Sequence, residues 1–178
     1  MFLVLTGYSG SGKTELGKFL EKNDGWVKAV TNTTREPRVG EVQDKDYHFR
    51  KDKEEFFSLD LIEWAEYPKG SGKFYGLDAG EVKAKRDGKT YAILEVNGAT
   101  KVKSLFPDAK IVFIDCSFET LKNRMIARGD SLENVKQRLE NIFNSEEKTT
   151  SLYADVVIDN NGKIEDTFES LLKFLNEN

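Results

Sequence analysis

Eight residues near the N-terminus constrain this chain more than any other feature. Gly7-Tyr8-Ser9-Gly10-Ser11-Gly12-Lys13-Thr14 satisfies G-x-x-x-x-G-K-[ST] at every fixed position. The apolar run Phe2-Leu5 before it reads as a buried strand, and the residues after it open a helix. That strand-to-helix context is the one in which the motif forms a phosphate cradle. The glycines let successive backbone N–H groups point into one concavity that a Cβ would obstruct. The helix N-terminus adds the positive end of its peptide dipoles. Lys13 supplies a mobile cation for β- and γ-phosphates, and Thr14 a hydroxyl for Mg²⁺. The whole stretch Gly7 to Thr14 is therefore an ATP-binding candidate. By itself the motif specifies a nucleoside triphosphate and does not choose among kinase, GTPase and ATPase.

The remaining apolar runs tell what surrounds the loop. Tyr91-Leu94, Ile111-Ile114 and Val156-Ile158 are continuous rather than alternating, as in strands covered on both faces of a parallel sheet. Leu132, Val135, Leu139, Ile142 and Phe143 keep a helical period behind Ser131, a candidate N-cap. Ile164, Phe168, Leu171, Leu172 and Leu175 do the same. Strands alternating with helices imply a doubly wound α/β fold. Residues 31–77 break the rhythm and read as an inserted lobe of small antiparallel strands, with alternation at Ile62-Glu63-Trp64-Ala65.

Composition removes several classes of function. With 38% hydrophobic and 33% charged residues the chain reads as soluble and globular, not disordered. A net charge of -4 gives no global field for nucleic acid or anionic membrane, so bound anions need local devices. No apolar run reaches membrane-span length, and Met1-Leu5 lacks the basic flank of a signal peptide. The one cysteine, Cys116, has no internal disulfide partner, and a cytoplasmic setting is expected. Oligomeric state is not encoded in any recognisable pattern.

A second anion site is suggested by Arg35 and Arg38, which flank Pro37, and by Tyr47 nine positions on. The planar fork of arginine suits bidentate phosphate binding, and a tyrosine hydroxyl can add a bond. On the residues alone these are also readable as loop charges and a half-buried strand aromatic. Glu63 is readable as solvent-facing on an alternating strand.

At Thr31-Asn32-Thr33-Thr34-Arg35-Glu36-Pro37-Arg38-Val39-Gly40-Glu41-Val42 and Asp46-Tyr47-His48-Phe49 the chain resembles the guanylate kinase family. The resemblance continues through Leu61-Glu66, Phe74-Tyr75-Gly76, Leu94-Gly98, Arg128-Gly129 and Arg138-Leu139, nearly the whole chain in order. It implies a P-loop NTPase fold with a parallel sheet core (1–30, 78–127 and 147–178), a small inserted acceptor-binding lobe (about 31–77) and a helical lid (about 128–146). It implies transfer of the γ-phosphate of MgATP to GMP, with ATP, GMP and Mg²⁺ as partners. Arg35, Arg38, Tyr47 and Tyr75 would hold the acceptor phosphate. Thr31 would meet the guanine O6, Glu63 the N1–H and amino group, and Glu95 and Asn97 would complete the GMP site. Lys13, Arg35, Arg128 and Arg138 would be catalytic, and Arg124 would contact ATP. Asp159-Asn160-Asn161 falls near a family adenine contact.

Three departures surround the acceptor. Leu77 stands where the family has serine or threonine, and Asn97 where it has aspartate. Residues 68–73 form a longer loop, either an extended hairpin tip or a segment bringing Ser71 or Lys73 to the acceptor. They leave open a shifted acceptor, such as dGMP or other deoxynucleoside monophosphates. An inert guanylate-kinase-like interaction module would not need the intact Lys13-Thr14 pair.

Overall fold

In chain order the elements are β1 (Phe2–Gly7), α1 (Lys13–Asp24), β2 (Val27–Lys28), β3 (Asn32–Thr33), β4 (His48–Phe49), α2 (Lys53–Phe57), β5 (Leu61–Glu66) and β6 (Phe74–Asp78). They continue with α3 (Ala79–Lys85), β7 (Thr90–Ile93), α4 (Val96–Leu105), β8 (Lys110–Asp115), α5 (Phe118–Ala127), α6 (Leu132–Asn144), β9 (Val156–Asp159) and α7 (Ile164–Glu177). This computed structural model describes residues 1–67, 70–85, 87–144 and 151–177. Two units divide the chain: Met1–Val4 with Trp26–Ala109, and Leu5–Gly25 with residues from Lys110 onward. The apolar runs read from the sequence are all strands, and the architecture is α/β as expected.

In the first unit β2 pairs with β7 in parallel, Val27 opposite Thr90 and Lys28 opposite Tyr91, and β7 lies beside the start of β1. The same unit holds a second sheet in the order β4-β3-β6-β5. Here β3 and β5 run antiparallel to β6, but β3 and β4 are parallel, against the all-antiparallel expectation. Parallel neighbours need a connection of about a dozen residues or more, and the loop 34–47 supplies it.

A β-bulge between Leu61 and Glu63 shifts the register of β5. Ile62 and Glu63 are consequently both buried, while Trp64 is exposed. Strict alternation would have put Glu63 in solvent; the extra residue re-aims it inward. The hairpin tip between β5 and β6 is closed by Tyr67 N donating to the Lys73 carbonyl at 3.0 Å, and Ser71 Oγ accepts locally from Lys73 N. Ser71 and Lys73 thus make these contacts within the loop itself; Pro68 and Lys69 lie outside the described residues.

In the second unit β1 lies beside β8, and β8 pairs in parallel with β9 from Val112–Val156 to Asp115–Asp159. Ser117 caps α5 by accepting from Thr120 N at 3.1 Å, and Ser131 caps α6 by accepting from Asn134 N at 3.3 Å. Of the periodic positions on α6, Val135 and Ile142 are buried with Cys116, Leu121 and Met125, whereas Leu132 and Phe143 are exposed. On α7, Phe168 and Leu171 are buried, and Phe168 packs on Phe19 of α1 with ring centroids 4.6 Å apart. Among the described residues no helix is long and apolar enough to cross a membrane.

Candidate nucleotide-binding sites

The loop between β1 and α1 forms one wall of a cavity of about 450 Å³ in the second unit. Gly10, Gly12, Lys13, Thr14, Arg124, Arg128 and Asn160 line it. The Lys13 ammonium folds back to donate to the carbonyls of Gly7 at 2.5 Å and Tyr8 at 2.9 Å. The Tyr8 ring meets Phe113 edge-on at 5.3 Å, anchoring the loop to the core of this unit. Gly12 caps α1 in the left-handed region at φ 99, where a Cβ would also collide with the Asn160 amide.

The Ser11 carbonyl is where this wall is held. It accepts from Asn160 Nδ2 at 2.7 Å and Arg124 Nη1 at 3.3 Å, with the Cys116 thiol at 3.6 Å. Asn160 is itself fixed: its Oδ1 accepts from Thr167 Oγ1 at 2.9 Å and its backbone N donates to the Asp115 carbonyl at 2.8 Å. Burial pushes the Cys116 thiol above its usual range, against the pull of Arg124, which keeps it a packing group. Arg138 on α6 donates to Ser9 Oγ at 3.2 Å. Arg128 and Arg138 share the carboxylate of Asp130, at 2.5 and 3.9 Å. Five named positions, Ser9, Lys13, Arg124, Arg128 and Arg138, thus converge on the loop or its cavity. Thr14 is exposed at the cavity wall.

The first unit gathers the second set. Arg35 is buried, lies over the rings of Tyr47 at 5.3 Å and Phe49 at 5.8 Å, and interacts with Tyr75. The Tyr47 and Tyr75 rings are 6.0 Å apart. Burial pushes the Tyr47 hydroxyl up, so it stays protonated and able to donate. Arg38 is exposed on the loop after Pro37. Thr31 is buried and its carbonyl accepts from His48 N at 2.9 Å, joining β3 to β4.

Glu63 is buried, and burial pushes its carboxyl up to about 7. The Leu77 backbone N–H and Lys101 pull the other way, and Glu95 adds to the rise. The backbone of Gly98 lies so close that a Cβ there would stand 2.6 Å from Glu63 Oε2. Leu77 turns its side chain into the core while its backbone serves Glu63. Glu95 lies two residues beyond the end of β7 and takes the N-cap position of α4. Asn97 is exposed one turn-position before Gly98. Sequence reasoning missed Asn160 as the loop's anchor, Asp130 as the shared partner of two arginines, and Gly98 as the floor beneath Glu63.

A glycine-rich loop running from a buried strand into a helix, with arginines from two further helices around its cavity, defines a P-loop NTPase. The family model for guanylate kinase matches residues 1–178. A guanylate kinase of Trichodesmium erythraeum is 38% identical over 97% of this chain and 94% of its own length. One from Psychrobacter arcticus is 35% identical over 95% and 80%. The crystal structure of a guanylate kinase from Anaplasma phagocytophilum superposes with a TM-score of 0.74 at 30% identity, covering 99% of this chain and 85% of that one. The chain belongs to the guanylate kinase family.

Proposed function

We propose that this chain moves the γ-phosphate of ATP onto GMP, giving ADP and GDP. The observation that carries the acceptor choice is Glu63, a buried carboxylate beside one backbone N–H. A carboxylate accepts several hydrogen bonds, and the N1–H and 2-amino group of guanine present two donors side by side; adenine lacks that pair. A site built this way rejects a base without the donors by roughly 10⁴-fold, because the buried group is left unpaired. Thr31 faces the guanine O6 in this reading, and Glu95 and Asn97 complete the base site.

Phosphoryl transfer needs positioning and charge neutralisation more than covalent help. An oxygen of the GMP phosphate attacks the γ-phosphorus while the bond to the β–γ bridging oxygen breaks, and ADP leaves with that electron pair. The N–H groups of residues 7–14 cradle the ATP phosphates, and Lys13 exchanges its two loop carbonyls for phosphate oxygens. Arg124 binds ATP from the cavity wall; Arg128 and Arg138 neutralise charge on the transferring group. Arg35, Arg38, Tyr47 and Tyr75 hold the acceptor phosphate.

An ATP-using kinase works with a divalent cation, and we assign Mg²⁺. Thr14 offers an exposed hydroxyl oxygen, and among the described residues no group of three or more His, Cys, Asp or Glu is assembled for a metal. That donor set fits Mg²⁺, which keeps most of its waters and is held by phosphates plus one or two protein oxygens. When bound it offsets charge on the β- and γ-phosphates. The corresponding partition is a core of 1–30, 78–127 and 147–178, an acceptor-binding lobe of 31–77 and a lid of 128–146; positions 145–150 lie outside the described residues. The free thiol of Cys116 suits a cytoplasmic setting.

A coupled assay with MgATP and a panel of ribo- and deoxymonophosphates tests the reading. GMP should give the highest kcat/KM, and equal turnover of AMP would sink it. A second reading, preference for dGMP or other deoxynucleoside monophosphates, draws on the fully buried Leu77, whose side chain offers the acceptor no hydroxyl. Higher kcat/KM with dGMP than with GMP would select it.

A further inference from the structure

A buried guanidinium has five N–H donors in one plane, and its usefulness depends on which way that plane is turned. Arg35 spends Nη1 on the Glu36 carbonyl at 2.6 Å and Nη2 on Glu41 Oε1 at 2.9 Å, while Nε is buried without a partner. Glu41 does not clasp the fork with both oxygens. Its Oε2 accepts instead from the Arg38 backbone N–H at 2.7 Å, and Glu41 N donates to the Arg38 carbonyl at 3.0 Å. One carboxylate therefore ties the head group of Arg35 to the backbone of Arg38. The pair is poorly screened, with the Glu41 side chain 19% exposed and Arg35 8%.

Two roles for such a carboxylate predict opposite effects. A group occupying the place of a phosphate would take the two parallel bonds that an arginine fork offers, and its removal would tighten phosphate binding. Glu41 takes one bond and leaves Nε unspent, with its second oxygen committed to the turn. We propose that Glu41 is a positioning residue: by bonding Nη2 while anchored to the Arg38 backbone, it fixes the orientation in which the Arg35 guanidinium meets the acceptor phosphate. This rests on Arg35 being a ligand of that phosphate.

The test is titration calorimetry of GMP and of guanosine, which lacks the phosphate, against the native chain, Glu41→Gln, Arg35→Ala and the double variant. Glu41→Gln keeps the shape but has one acceptor oxygen where two are used. It should weaken GMP roughly 10-fold, the scale of one charge-assisted hydrogen bond, and leave guanosine unchanged. Added to Arg35→Ala, it should do nothing further. If Arg35→Ala weakens GMP but Glu41→Gln leaves it unchanged or tightens it, the positioning role is wrong while the phosphate site stands. If Arg35→Ala itself has no effect, the underlying assignment falls. Equal losses for GMP and guanosine would mean collapse of the loop and also overturn the proposal. Glu41→Asp, which reaches one partner but not both, gives the same readout if the glutamine variant does not fold.

Discussion

Glu63 is the residue whose chemistry most opposes the free fold. Its carboxyl stands at about 7, above the usual carboxylate range, because burial disfavours the charge. The unfolded chain releases this proton near 4.5 and the folded chain near 7. Between those values the unfolded state binds fewer protons, so stability falls as pH rises through the window and the loss is complete above it. Glu63→Gln should therefore raise the Tm of the ligand-free chain at pH 8, by no more than the equivalent of about 3 kcal/mol, and lose the advantage by pH 4. Thermal melts at the two pH values check this. The guanine-reading role proposed for Glu63 has the opposite dependence, since only the carboxylate accepts both donors. KM for GMP should rise about tenfold from pH 8 to pH 6 on account of Glu63. The glutamine variant should keep only the component from the second ionisation of the GMP phosphate, near about 6. A pH profile of KM unchanged by the substitution would remove Glu63 from the base site.

Elements decide how accurately these side chains are held. Gly98 on α4 is a close approach rather than a bend, since a Cβ would press on the Glu63 carboxylate. Gly98→Ala should raise KM for GMP several-fold while KM for ATP stays unchanged, which steady-state kinetics would reveal. On α5, Ser117→Ala removes the cap bond to Thr120 N and should cost about 1 kcal/mol in urea unfolding. How far the elements were legible follows from what makes them. The loop of 7–14, the Ser131 cap and the long apolar strands are written in adjacent or periodic residues, so spacing alone reveals them. The bulge in β5 is not: a single extra residue overturns alternation, and only the resemblance, not the period, pointed Glu63 inward. The two-residue strands β3 and β4 are too short to show any period. Asn160 is 149 positions from the Ser11 carbonyl it holds, and no local pattern marks such a bond. Glu41 was visible only as one letter of a motif, because its two partners are chosen by the fold of the turn.

For the whole molecule the governing fact is a chain of net charge -4 handling polyanions. No long-range field helps, so binding needs local groups, and those proposed are concentrated at two places, one in each unit. Each place should respond to its own ligand. In hydrogen exchange with Mg²⁺ and a non-hydrolysable ATP analogue, protection should concentrate in 7–14 and the segments bearing Arg124 and Asn160. GMP alone should protect 31–49, 61–66 and 74–78. Protection of 7–14 by GMP alone would contradict the division of labour. The metal requirement follows from the same charge argument. Thr14 is the single protein oxygen assigned to the ion, so the phosphates of ATP carry most of its coordination. Removing divalent metal with a chelator should abolish phosphoryl transfer, because charge on the β- and γ-phosphates is then met by Lys13 and arginines alone. It should leave GMP affinity intact, because the groups proposed for that phosphate, Arg35, Arg38, Tyr47 and Tyr75, need no ion to bind it. Measuring turnover and GMP affinity in the same chelated sample separates the two: a parallel loss of both would mean that the metal organises the acceptor site as well.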